Sequence, residues 1–104
     1  MPLTPRLVTL VKCNGEASRI FIDVEELYTC CLRILRADKL KTCMNLKTGL
    51  HYVYDAQAGV ANMALNTVIM QRVYGSLDNE PIAGDVLIID NEIMEEHIRR
   101  KAPQ

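Results

Sequence analysis

The residues with the most chemistry to offer sit in the middle of the 104-residue chain. Arg33, Arg36, Lys39, Lys41 and Lys47 are opposed in their own segment only by Asp38. Guanidinium and ammonium groups pair with phosphate and carboxylate oxygens, so such a cluster fits a phosphate or an acidic partner surface. The same residues also fit a solvated face that balances a helix dipole and keeps strand edges soluble. Asn66 precedes an apolar run. Its amide either reads a ligand at a helix N-terminus or caps that helix. Gly84-Asp85 offers a turn where a phosphate can approach the backbone, or a bulge ahead of a strand.

Catalysis and metal binding have less to draw on. Cys13, Cys30, Cys31 and Cys43 contain no Cys-x-x-Cys pair, and neither His51 nor His97 completes a zinc-ligand spacing. Four small, soft side chains of this kind fit a packed interior in a reducing compartment, with no disulfide. His51 has no nucleophile at a recognisable spacing, and His97 is flanked by Glu95 and Glu96 without a His-Glu-x-x-His motif. Asp78, Glu80, Asp85 and Asp90 match no calcium loop. No Walker or Gly-x-Gly-x-x-Gly pattern is present. The expectation is a protein that is not an enzyme and needs neither cofactor nor metal.

The elements that position these residues follow from periodicity. Arg6 to Lys12 alternates as a strand, Asn14-Gly15 supplies hairpin-turn chemistry, and Ser18 to Ile22 returns antiparallel. Asp23 with Glu26 forms a capping-box pattern ahead of a helix. Its apolar stripe is Val24, Leu27, Tyr28, Cys31, Ile34 and Leu35, with Arg33 and Arg36 on the polar side. Leu40 to Leu46 and Leu50 to Tyr54 read as a second hairpin about Lys47-Thr48-Gly49. A turn over Asp55 to Gly59 leads to Val60–Leu65, a short strand or a first helical turn. Asn66 then caps a helix from Thr67 to Tyr74 that Gly75 ends. After a polar loop ending at Pro81, Val86 to Ile89 is a run of branched side chains, which marks a central strand buried on both faces. Asp90 or Asn91 caps a last helix, Glu92 to about Lys101, with Ile93, Met94 and Ile98 as its apolar contacts and Pro103 beyond it. The fold class is α+β: a mostly antiparallel sheet of four to six strands with two or three helices on one face, in the order β-β-α-β-β-(β)-α-β-α. One domain spans 1–104, with 1–5 and 102–104 as flexible ends.

Composition narrows the function classes. The net charge of −1 gives no global basic field for wrapping duplex DNA. Aromatic residues make up 5% of the chain, few for a surface that stacks single-stranded bases. Charge is split along the chain, residues 1–52 carrying +3 and residues 53–104 carrying −4. No apolar stretch reaches the ~20 residues of a membrane span, and nothing at the start reads as a secretion signal, so the expected location is cytoplasmic. A small sheet with this much apolar surface is also expected to cover part of it with another copy of itself, as a homodimer or larger.

From Asp55 onward the chain resembles a known family. Asp55-Ala56-Gln57-Ala58-Gly59, then Met63-Ala64-Leu65-Asn66, then Ile82-Ala83-Gly84-Asp85-Val86-Leu87-Ile88-Ile89 resembles the run that closes a family of small proteins of unknown function carried by bacteriophages, plasmids and other mobile elements. The similarity covers residues 8–90 and departs from the family in the long basic middle segment. It implies a context: an accessory protein acting inside a bacterial cell. The resulting expectation is a non-enzymatic protein that binds a host protein or a small phosphorylated signal and inhibits a host process, anti-defence activity being one form. The alternative is a nucleic-acid-associated regulator using segment 33–47. The binding residues are expected to be Arg33, Arg36, Lys39, Lys41, Lys47 and Asn66.

Overall fold

Four branched residues in a row need dry cover on two sides. The computed structural model, which describes residues 5–57, 64–74 and 81–101, provides it. The elements are β1 (Pro5–Val11), β2 (Ala17–Asp23), α1 (Leu27–Leu35), β3 (Leu40–Asn45), β4 (Leu50–Asp55), α2 (Thr67–Tyr74), β5 (Val86–Asp90) and α3 (Asn91–Lys101). They build a five-stranded sheet in the order β2-β1-β5-β4-β3, antiparallel at every pairing. The fold is therefore α+β, with β5 at the centre and the two hairpins on either side of it. Gly15 (φ 93°) and Gly49 (φ 72°) take the left-handed backbone that the two hairpin turns require. Leu65 and Ala83 add an isolated antiparallel bridge.

The helices lie on both faces of the sheet, not on one. Alternation along β5 sends Leu87 and Ile89 to one side, where they meet Val8, Ile22, Val53, Leu27, Cys31, Leu35 and Ile93. That layer is α1 and α3. Val86 and Ile88 point the other way, into Val11, Tyr52, Tyr54, Ile69, Met70 and Ile82, so α2 covers the second face. A strand apolar on both faces demands this, because one layer of helices dries only alternate side chains.

Local expectations shift in five places. Helix α1 starts at Leu27 and not at Asp23: the Asp23 carboxylate accepts the Glu25 N–H at 3.1 Å in a turn that follows β2. Glu26, the residue at the helix cap, makes no side-chain capping bond. The turn drives Val24 fully into the core, a burial a regular first helical turn would compete with. Tyr28, expected in the buried stripe, is 54% exposed, and Ile98, expected as an α3 contact, is 63% exposed. Strand β3 ends at Asn45, with Leu46 in the turn. Pro5, expected in a flexible end, begins β1. The remaining expectations for residues 1–4, 58–63, 75–80 and 102–104 lie outside the described residues: the chain ends, the Gly59 turn, most of the 60–65 strand, the Gly75 stop, the loop through Asp78 and Glu80, and Pro103. Among the described residues, no helix is long and apolar enough to cross a membrane.

All four cysteines are free thiols. Burial, with the neighbouring Cys30 adding to it, pushes the Cys31 thiol from 9.0 up to about 12. In the folded protein Cys31 stays protonated while the unfolded chain ionises, so its contribution to stability is full below pH 9 and is lost as the pH rises toward 12. Thiol titration of the native protein is expected to leave Cys31 unmodified and to find all four thiols after denaturation without reductant. Finding two or fewer would show a disulfide.

Candidate functional site

The basic segment does not converge. Arg33 lies in the last turn of α1, and Arg36 closes that helix in the left-handed conformation at φ 53°. The bonds Arg36 N–H to the Arg33 carbonyl (3.3 Å) and Ala37 N–H to the Leu32 carbonyl (2.9 Å) terminate the helix. Lys39 follows at the entry to β3, and its carbonyl accepts the Ala56 N–H. Lys41 pairs with Tyr54 and so projects to the α2 face of the sheet. Lys47 sits in the Leu46–Gly49 turn, at the far end of β3 and roughly 20 Å from Lys39 by strand rise. Arg33, Arg36 and Lys39 are thus near one end of the sheet, while Lys41 and Lys47 point elsewhere.

Arg36 borders a cleft of about 310 Å³ that also includes Cys13, Asp55, Gly84 and Asp85. The Asp55 carboxylate accepts the Gln57 N–H at 2.9 Å, and Asp85 accepts the Cys13 N–H at 3.2 Å. The first fixes a local turn, and the second ties the β1–β2 turn to the entry of β5. An anion approaching Arg36 here meets two carboxylates, which offset the attraction of one guanidinium.

Asn66 is fully buried. Its Oδ1 accepts the Ile69 N–H at 3.2 Å, the cap expected of it. Its Nδ2 donates to the Val11 carbonyl at 3.1 Å and to the Gly84 carbonyl at 3.0 Å. Its backbone N–H donates to the Ile82 carbonyl at 2.8 Å. Both amide donors are spent inside the protein, so the side chain ties the start of α2 to the end of β1 and the entry of β5 and presents nothing to a ligand. Gly84, at φ 78°, is the turn residue of that junction: its carbonyl faces Asn66 and its N–H donates to the Ala64 carbonyl at 2.8 Å.

The feature that sequence reasoning missed is a groove between α1 and α3. It has a volume of about 160 Å³ and is walled by Leu27, Tyr28 and Cys31 on α1 and by Met94 and His97 on α3, over Val53 and Thr42. Polar contacts tie α3 to the turn ahead of α1 and to β1. The His97 Nδ1–H donates to the Val24 carbonyl at 2.7 Å. Arg100 pairs with Glu25 at 3.1 Å and with Glu96 at 3.2 Å, and Glu96 also pairs with Arg6 at 3.1 Å. The groove wall carries little polar chemistry, and the raised Cys31 thiol is no nucleophile there. The available signal was Tyr28 itself, an aromatic at the margin of the stripe whose hydroxyl seeks water. Its partner wall on α3 has no local sequence signature.

No protein-family model, no curated protein and no solved structure matches this chain.

Two substitutions separate these roles. Asn66→Ala removes a cap and the two buried hydrogen bonds to the Val11 and Gly84 carbonyls, and is expected to cost about 2–4 kcal/mol in chemical denaturation. Arg36→Gly relieves a left-handed residue and is expected to gain about 0.5–1 kcal/mol, which the same measurement reads.

Proposed function

We propose that the chain is a non-catalytic binding protein that takes a protein partner in the groove between α1 and α3. In this reading it is an accessory protein of a phage or other mobile element, works in the bacterial cytoplasm, and inhibits a host process such as defence. One observation carries the choice of a protein over a phosphorylated signal or a nucleic acid: the open groove is apolar, and Tyr28 stands 54% exposed at its edge. A rigid aromatic beside a dry groove suits the side chains that anchor protein interfaces. A phosphate or nucleic-acid site would need several cations converging on one spot, whereas Arg36 shares its cleft with Asp55 and Asp85, and Lys47 is a strand's length away.

Affinity capture from bacterial lysate tests the choice with three chains: wild type, Tyr28→Ala and the double variant Arg33→Glu/Arg36→Glu. The captured protein is expected to be retained by wild type and by the charge-reversal variant, and to bind Tyr28→Ala at least about tenfold more weakly. Circular dichroism checks that each variant is folded. Equal binding by Tyr28→Ala would sink the groove as the site. Loss in the charge-reversal variant, with retention that falls steeply with salt, would favour the nucleic-acid reading.

A further inference from the structure

Among the described residues the outer edge of β2 is unpaired, and its protection is limited to the charges of Arg19 and Asp23. Its seven residues pair with β1 in unbroken register, without bulge, proline or lysine. The other edge strand, β3, carries Lys41. On β2, Phe21 is 71% exposed and lies directly across from Leu7, itself 38% exposed, on the sheet face whose far half α2 covers. Within the described residues neither Arg19 nor Asp23 makes an ion pair.

The ladder fixes which backbone groups of β2 are free. Lys12 N–H donates to the Glu16 carbonyl at 2.8 Å as the hairpin closes. Alternation from that pair turns the N–H and C=O of Ser18, Ile20 and Ile22 toward β1, and those of Arg19, Phe21 and Asp23 outward. Pro5, which has no N–H to give, falls opposite Asp23 at a position without ladder bonds, as this phase requires.

The edge segment reads Arg19-Ile20-Phe21-Ile22-Asp23, with Arg19 and Phe21 exposed and Ile22 buried in the core. Laid antiparallel on a second copy about a two-fold axis at Phe21, it is complementary to itself at every position. Phe21 meets the partner's Phe21, Ile20 meets the partner's Ile22, and Arg19 meets the partner's Asp23. The same register sets the Phe21 N–H and C=O of the two copies in a hydrogen-bonding pair and brings the Asp23 N–H to the partner's Arg19 carbonyl, while the Asp23 carbonyl already accepts the Glu26 N–H at 3.1 Å. Shifting the axis to Arg19 would set two guanidinium groups opposite each other, and shifting it to Ile20 would leave Arg19 facing Phe21 and Asp23 facing Ala17. Charge complementarity therefore selects one register. We propose that β2 pairs with β2 of a second copy in this register, joining two five-stranded sheets into one of ten strands. Leu7 and Phe21 of both copies then form a continuous apolar strip across the axis, and the closed two-fold contact leaves no free β2 edge for further addition.

Sedimentation velocity at tens of micromolar protein tests the register through charge exchange. Wild type is expected to be a dimer. Arg19→Asp sets two carboxylates against each other at both ends of the contact, and Asp23→Arg does the same with two guanidinium groups. Each variant alone is expected to dissociate about tenfold or more readily. Mixed in equal amounts, they restore opposite charges at both ends and should form a heterodimer. Asp23→Arg also removes the acceptor for the Glu25 N–H, so Phe21→Glu, at a side chain already facing solvent, serves as a second disruptive variant and is expected to be folded and monomeric. A monomeric wild type would overturn the proposal. So would a dimer indifferent to Arg19→Asp and Phe21→Glu, or a mixture of two folded charge variants that stays monomeric.

Discussion

Val86, Leu87, Ile88 and Ile89 alternate across the pleat of β5, so two different layers must desolvate them, at roughly 1.5–3 kcal/mol for each side chain buried. The same strand must find backbone partners on both edges. β1 supplies one side and β4 the other, and neither hairpin pairs with the other directly. The antiparallel sheet, the placement of helices on both faces and the central position of the last strand all follow from keeping this one segment dry and bonded. Because the strand is distant in sequence from both hairpins, neither hairpin has a continuous sheet to join until it arrives.

Asn66 solves the problem that this arrangement creates. Where β1 ends and β5 begins, the Val11 and Gly84 carbonyls face the buried start of α2. One buried amide takes the Val11 and Gly84 carbonyls while its oxygen caps α2. A buried carbonyl without a donor costs about 1–3 kcal/mol, so one side chain that supplies two donors and a cap is worth more than an apolar residue of its size. Among the described residues no buried side-chain polar atom lacks a partner. The interior polar chemistry of the described residues is committed to the fold itself.

Features that depend on short-range chemistry were legible in the sequence. Asn14-Gly15 and Lys47-Thr48-Gly49 announced both hairpins, the branched run announced a central strand, and the Leu27–Cys31–Leu35 stripe announced α1. The start of α1 was misread because Asp23 meets the same capping-box pattern whether its carboxylate caps a helix or closes a turn, and the burial of Val24 decides for the turn. Asn66 was legible as a cap and illegible as a clamp, since Val11 is 55 residues away. The basic segment looked like a patch because its residues are near in sequence, but β3 carries Lys47 to the opposite end of the sheet. Which face α2 would cover, and the groove between α1 and α3, depend on packing between distant segments and have no local signature.

The two surfaces assigned to recognition occupy different regions, and this makes them compatible. β2 and β3 are the opposite edges of the sheet, four strand spacings apart, or about 19 Å. The groove opens above β3 and β4, through Thr42 and Val53, while the self-complementary strand is β2. The proposed pairing through β2 would therefore leave each groove open and place two of them on one continuous sheet. A partner that is itself a symmetric oligomer would then meet two sites at a fixed spacing, and the second contact would form at high effective concentration with no new residue required. On the proposed reading, a weak single-groove interaction would become a tight one only through the proposed β2 contact.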